Sequence, residues 1–182
     1  MEKETLNALI KLSLNKDEAA FRKIVEYFQR MVYSFAYRML CDEDDAKDIT
    51  QETFIRVWLH LSDYDCEKKF STWIYAITSN LCFDRLKTKK RKFEVEYSEQ
   101  LITELISDED IERELINSEL ANIILTLTNE LTAKQKIVFT LRYLEDLSVK
   151  EIIQVTGMTA EKIKSNQYLA KKTISNKIEK IK

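Results

Sequence analysis

Residues Phe70 to Lys92, FSTWIYAITSNLCFDRLKTKKRK, place four aromatic side chains at helical spacing and then five Lys/Arg among six positions. On a helix, Trp73, Ile77 and Leu81 share one stripe with Ile74 nearby, while Tyr75, Asn80, Asp84, Arg85 and Lys87 lie elsewhere around the cylinder. Trp73 comes early in that helix, beside a loop bearing Lys68 and Lys69. An aromatic ring beside cations suits an unstacked base, since every base has a π-face, and the trailing KTKKRK suits backbone phosphates. The competing reading makes Phe70, Trp73 and Ile77 plain core. One Trp can serve both, packing on its inner face and meeting a base at its rim.

A second set of candidate residues closes the chain. Ser148-Val149-Lys150-Glu151 has the spacing of a capping box, which predicts a short helix over Val149–Val155. The chain's only glycine, Gly157, follows two residues later, where a turn requires positive φ. Thr159 is placed to cap a longer helix running from Ala160 towards Ile178, with Ile163, Ala170, Ile174 and Ile178 facing inward. Its outward face carries Lys162, Lys164, Ser165, Asn166, Tyr168, Lys171 and Lys172, phosphate-binding cations beside groups able to read base edges. A short helix, a glycine turn and a longer basic helix make a helix-turn-helix arrangement, and the competing reading is an ordinary basic amphipathic helix.

Other chemistries lack their residues. The acids Asp42, Glu43, Asp44, Asp45 and Asp48 lack the glycine and ligand spacing of an EF-hand, so helix capping or a protein-binding acidic face is the reading. A lone His60 joins no nucleophile and orienting partner, and neither a P-loop nor a GxGxxG is present, which argues against an enzyme and against a cofactor. Cys41, Cys66 and Cys82 form no CxxC and read as reduced thiols, two of them in helices. No apolar run approaches the roughly 18 residues of a spanning helix, and MEKETLNALIK is too charged for a signal peptide, so a cytoplasmic protein without membrane insertion is expected.

The elements that position these residues are helices. Among 182 residues there is no proline and one glycine, which leaves almost nothing for hairpins and tight turns. Apolar positions from Ala20 to Met39 follow the i, i+3, i+4, i+7 rule behind an Asp17 N-cap. The acidic break CDEDD then opens a second helix with Ala46, Ile49, Thr53, Phe54, Val57, Trp58 and Leu61 on one side. Leu6, Leu9, Ile10 and Leu12 mark a short helix before them, SDYDCEKK reads as a loop, and Leu131 to Leu144 reads as one helix.

Charge is segregated along this framework. Residues 1–98 hold 17 Lys/Arg against 17 Asp/Glu, residues 99–130 hold 1 against 9, and residues 131–182 hold 11 against 5, for 0, −8 and +6 within a net −2. A basic C-terminal block behind an acidic segment points to a nucleic-acid-binding module behind a connector. The expected fold is therefore all-α, with two small helical domains: a bundle at 1–94, an acidic linker at 95–114 and a helix-turn-helix domain at 115–182.

Two segments carry a family resemblance. DEDDAKDITQETFIRVWLHL followed by FSTWIYAITSNLCFDRLKTKKRK resembles region 2 of the extracytoplasmic-function (ECF) sigma factors, and LTAKQKIVFTLRYLEDLSVKEIIQVTGMTAEKIKSNQYLAKKTI resembles their region 4. Together they cover roughly two-thirds of the chain in the right order, and the pair is far more specific than either half. The resemblance implies a promoter-specificity subunit of bacterial RNA polymerase, partnered by core polymerase, promoter DNA and an anti-sigma factor, with no small-molecule substrate. It implies that Asp44, Asp45, Asp48, Gln51 and Glu52 dock on the clamp helices of the largest subunit, and that region 4 meets the polymerase flap. It further implies that the loop 62–69 and the helix after it, through Lys68, Lys69, Phe70, Ser71 and Trp73, open and hold the minus-ten strand, with Asn80, Asp84 and Arg85 near the duplex edge. Thr159, Lys162, Lys164, Ser165, Asn166, Tyr168, Lys171 and Lys172 would read the minus-thirty-five element, and the acidic linker would follow the path of nascent RNA.

The chain departs from the family pattern at Gln167, where an apolar residue is usual, and in using Lys where Arg is common, so bidentate guanine reading by Arg is absent from the last helix. The runner-up is a transcriptional regulator that binds duplex DNA without polymerase and dimerises through its N-terminal bundle. The Trp-bearing helix with its basic tail and the acidic helix before it argue against that. A pure protein-interaction adaptor would need no basic recognition helix.

Overall fold

The computed structural model describes residues 2–96, 123, 126–128 and 130–181, and every regular element among them is helical. Helix α1 (Lys3–Leu14) precedes α2 (Glu18–Leu40), which starts where the Asp17 carboxylate accepts the Ala20 N–H at 3.0 Å. Cys41 ends α2 in the left-handed conformation, φ 55°, donating its N–H to the Tyr37 carbonyl. Asp42 then caps α3 (Glu43–Leu59) by accepting from the Asp45 N–H, and the three acids of the first turn lie at the positive end of the helix dipole. A 3-10 turn at Leu61–Asp63 and a loop lead into α4 (Phe70–Glu96).

The N-terminal core follows the expected stripes. Ile24, Phe28 and Val32 of α2 meet Phe54 and Val57 of α3 and Phe70 and Ile74 of α4, with Ile10 of α1 and Leu61 closing the end. Two polar groups inside satisfy each other: the Thr53 hydroxyl donates to Thr78 Oγ1 at 3.4 Å, and Thr78 donates to the Ile74 carbonyl at 2.9 Å.

The C-terminal unit is built from capped short helices. Thr132 and Gln135 form a capping box at the start of α5 (Ala133–Phe139), and Ser148 and Glu151 form the expected one at α6 (Val149–Thr156). Between them the helix expected through Leu144 widens into a π turn at Thr140–Leu144, where the Glu145 N–H reaches the Thr140 carbonyl at 3.0 Å. Gly157 takes φ 65° and α7 (Ala160–Ile181) follows.

The two units do not stand apart. Ile137, Val138, Leu141, Ile152, Val155 and Ile163 share one apolar cluster with Phe35, Met39, Tyr75, Leu81 and Cys82 of the N-terminal bundle. Tyr75, off the Trp73, Ile77 and Leu81 stripe, is buried as well, because the C-terminal unit covers its side of the helix. The reading of two thiols in helices is corrected, since among them only Cys82 lies within a helix, while Cys41 is a cap and Cys66 lies in the loop before α4. The linker beyond Glu96 and the start of the second unit near Leu115 lie outside the described residues.

The glycine turn offers a clean test of the backbone argument. A Cβ at Gly157 would meet nothing within 4 Å, so the cost of Gly157→Ala comes from the left-handed backbone alone. A loss of about 1–2 kcal/mol is expected, seen as a lower urea midpoint at unchanged slope.

Candidate nucleic-acid interface

Helix α7 is laid out much as its spacing predicts. Ile163 and Ala170 are fully buried, while Lys162, Lys164, Ser165, Tyr168, Lys171 and Lys172 are exposed, and Thr159 caps the helix by accepting the Lys162 N–H at 3.4 Å. Asn166 is half-buried and spends one amide N–H on the Lys162 carbonyl at 2.7 Å, which fixes its rotamer and leaves its remaining amide groups for a base edge. Lys171 sits over the Tyr143 ring, 4.9 Å from its centre, a cation–π contact that holds it beside the π turn. One inward assignment is corrected: Ile178 is 42% exposed. Gln167 is half-buried, so its departure from an apolar residue lies at the margin of the core.

The aromatic loop divides differently from the sequence expectation. Phe70 is 3% exposed and packs against Phe28, Tyr64 and Trp73, so it is core and is not available to a base without leaving that cluster. Trp73 is half-buried, its ring 5.4 Å from Tyr64, and it keeps the packed inner face and open rim of the double role. The Tyr64 hydroxyl donates to the Lys68 carbonyl at 2.6 Å, and Asp65 takes the Glu67 N–H and the Lys68 ammonium, contacts that hold its carboxyl below the ordinary value. The loop therefore has its own internal ties. Lys68 and Lys69 are exposed at its end, Ser71 is half-buried, and Asn80 and Asp84 face outward further along α4. The side chains of Lys89 to Lys92 in the basic tail lie outside the described residues.

On α3, Asp45 is 7% exposed and accepts from Arg85 Nη1 at 2.6 Å, while Asp48 lies 3.6 Å from the same guanidinium. Two groups assigned to different partners, Asp45 to a protein and Arg85 to DNA, are thus joined to each other. Asp45 therefore lies buried beneath the Arg85 guanidinium and is not presented on the exposed side of α3. Asp44, Asp48 and Gln51 remain exposed, and Glu52 accepts from Arg56 at 2.8 Å. The same face carries Ile55 and Leu59, 54% and 66% exposed, which the sequence reading missed. Their spacing from Asp48 and Glu52 was the available signal, since i, i+3, i+4, i+7 places them on one stripe. A cleft of about 710 Å³ opens along it, lined by Asp48, Gln51, Glu52, Ile55, Asp84 and Arg85.

Lys69 extends from the loop to Glu151 in the α6 capping box, 2.6 Å away. The Glu151 carboxyl is held at about 2, first by the Lys69 ammonium and then by the Ser148 hydroxyl and N–H. Cys82 is driven the other way, to about 12, by burial and the Asp45 charge, and is an inert core thiol. Among the described residues no group of His, Cys, Asp or Glu is arranged to hold a metal ion. A depressed carboxyl stabilises the fold above its ordinary value near 4.5 and loses that contribution as pH falls towards about 2. Glu151→Gln keeps a capping side chain but not the charge, so its stability should fall less steeply than the parent's over that interval in acid denaturation. Because Lys69 is largely exposed, the difference should not exceed about 1 kcal/mol.

Known proteins resemble this chain in sequence and in fold. Residues 24–92 match the family model of sigma-70 region 2, and residues 121–174 match that of sigma-70 region 4. The ECF RNA polymerase sigma factor SigW of Bacillus subtilis (strain 168) is 31% identical, over 89% of this chain and 90% of that one. The ECF RNA polymerase sigma-E factor of Escherichia coli (strain K12) is 26% identical over 98% and 96%. CnrH, solved in complex with the cytosolic domain of CnrY, has the same fold at 19% identity, with a TM-score of 0.70 over 96% of this chain and 97% of that one. RpoE of Bartonella quintana, solved with the anti-sigma factor NepR, gives a TM-score of 0.69 at 16% identity over 87% and 96%. With both sigma regions matched in order and a 31% identical relative aligned along nearly the whole chain, this protein belongs to the ECF RNA polymerase sigma factors.

Proposed function

We propose that this sigma factor directs promoter recognition and opening through three surfaces, carried by a bundle at 1–94 and a helix-turn-helix domain at 115–182 on either side of the 95–114 linker. The α3 stripe docks on core polymerase: Asp44, Asp48, Gln51 and Glu52 supply charge and amide groups, and Ile55 and Leu59 supply apolar area that water now covers. Asp45 acts behind them by fixing Arg85. The second surface is the rim of Trp73 with Ser71, Lys68, Lys69, Asn80, Asp84 and Arg85, placed to stack an unpaired base of the minus-ten strand and hold its backbone. Phe70 contributes by holding Trp73 at that rim.

The third surface is α7. Its lysines neutralise phosphates of the minus-thirty-five duplex, while Ser165, Asn166 and Tyr168 contact base edges from the exposed side. The chain does no covalent chemistry in this reading; bond formation belongs to the polymerase, and both act in the cytoplasm. CnrH and the Bartonella quintana RpoE were solved with CnrY and with NepR, and we extend to this chain the expectation of an anti-sigma partner. The observation that carries the proposal is the conjunction in one chain of an exposed acidic and apolar α3 stripe with a capped, lysine-lined α7 behind a glycine turn.

Run-off transcription with purified core polymerase on a pool of random-sequence promoters should yield transcripts from a defined subset only when this protein is added. Silence combined with duplex binding in the absence of polymerase would favour the plain regulator. Asp48→Lys should weaken core-polymerase affinity about tenfold or more in a pull-down titration, through loss of charge complementarity, with the thermal melt unchanged. Lys164→Ala combined with Lys171→Ala should reduce the slope of log affinity against log salt by about 2 for promoter duplex, as expected for two lost phosphate contacts.

A further inference from the structure

Lys136 of α5 is 7% exposed, and a buried ammonium ordinarily faces a carboxylate or several oxygen acceptors. Here it donates to Cys41 Sγ at 2.9 Å, and among the described residues it has no ion pair and no other side-chain acceptor. Glu145, just past the π turn that follows α5, is already taken: Arg38 Nη1 and the Tyr75 hydroxyl donate to its two carboxylate oxygens. A neutral thiol is a weak acceptor, whereas the thiolate is an anion and the nucleophilic form of cysteine. The pair is matched in charge only as thiolate and ammonium.

Cys41 is exposed, in contrast to Cys82, which burial makes inert. A small oxidant therefore reaches Cys41 from solvent while the Lys136 amine stands on its protein side. Both partners are fixed by their backbones. The Cys41 N–H donates to the Tyr37 carbonyl at 2.8 Å, and the Lys136 N–H donates to the Thr132 carbonyl at 2.8 Å. At φ 55°, Cys41 also fills a helix-ending position that glycine or asparagine takes at less cost.

We propose that Cys41 and Lys136 form a peroxide-responsive covalent switch, in which oxidation of the thiol joins Sγ to Nζ as a sulfenamide. The Cys41 thiolate attacks hydrogen peroxide and breaks its O–O bond, so that the sulfur becomes a sulfenic acid and hydroxide leaves. That hydroxide takes a proton from the Lys136 ammonium, giving water and a neutral amine. The amine attacks the sulfur; the S–N bond forms, the S–O bond breaks, and the departing hydroxide takes an amine proton and leaves as a second water. Sulfur has lost two electrons and peroxide has gained them. A dithiol reverses the step: one of its sulfurs displaces the amine, and the other closes a disulfide that frees the Cys41 thiol.

The bond ties the end of α2 to α5, and so the N-terminal bundle to the C-terminal unit. Its consequence rests on the function proposed above. Elements at minus ten and minus thirty-five are about 25 base pairs apart, roughly 85 Å of duplex at about 3.4 Å per step. Units tied covalently at these two residues cannot each occupy one of them, so peroxide withdraws the protein from transcription.

The test uses the full-length chain with Cys66→Ser, which removes a competing exposed thiol. The protein is treated with hydrogen peroxide, freed of excess reagent, alkylated, digested and examined by mass spectrometry. The expected product is a peptide pair joined at Cys41 and Lys136, lighter than the sum of its parts by two hydrogens and separated by dithiothreitol. Lys136→Arg keeps the positive charge without a nucleophilic amine, so its Cys41 should stop at a sulfenic acid that dimedone traps, at unchanged helical content. Cys41→Ser should give neither product. Run-off transcription with untreated core polymerase should fall in proportion to the linked fraction and return with dithiothreitol, while both variants remain insensitive to peroxide. Oxidation of Cys41 to a disulfide or a sulfinic acid with no link to Lys136 overturns the proposal, as does a linked protein that transcribes as well as the reduced one. A reversible link in a protein that drives no transcription even when reduced leaves the redox site standing and sinks the promoter function.

Discussion

Helix α4 has more apolar surface than one partner can cover. Phe70 and Ile74 enter the core made with α2 and α3, while Tyr75, Leu81 and Cys82 enter a second cluster completed by α6 and by Leu147 ahead of it. A helix apolar on two sides must be buried on both, and burying a large side chain is worth about 1.5–3 kcal/mol. The N-terminal bundle covers one side by local packing of consecutive helices. The other is left to a unit distant in sequence, and the rest of the arrangement follows from that requirement.

The polar contacts are placed around this apolar seam. Glu145, Glu151 and Lys136 each sit opposite a group of the N-terminal unit, so the apolar cluster sets the distance and the charges set the register. Their contributions differ in kind. The enclosed Glu145 is costly to leave unpaired, whereas Lys69 is mostly exposed and its pair with Glu151 is screened by solvent. Register is therefore decided at Glu145, and the pairs at the edge follow it.

The α3 face has a similar order. Arg85 reaches from α4 to Asp45 and Asp48, which joins the helix assigned to polymerase with the helix assigned to DNA. A buried carboxylate with a guanidinium above it is a positioning device. The neighbouring positions, including Ile55 and Leu59, stay exposed and form the surface proposed for docking. Within one short stripe, then, acids of the same type do different work according to depth.

How far each feature could be read in the sequence depends on the range of the forces that make it. The helices, the Asp17 and Ser148 caps and the Gly157 turn are set by interactions within four residues, and spacing alone disclosed them. The lysine face of α7 was legible for the same reason, because residues at helical spacing must share a face wherever the helix lies. Phe70 and Asp45 were assigned to partners and proved to be buried, because side-chain type gives affinity for a ligand and says nothing of depth. The burial of Tyr75, which lies off the Trp73 stripe, was not legible because helical geometry counts only its own helix, and the unit that covers it lies far along the chain. The sequence by itself determined an all-helical chain with two recognisable regions, since those rest on local periodicity and motif. Only the tertiary structure decided that the regions close on each other around Glu145, because a contact between residues 107 positions apart leaves no trace in local spacing.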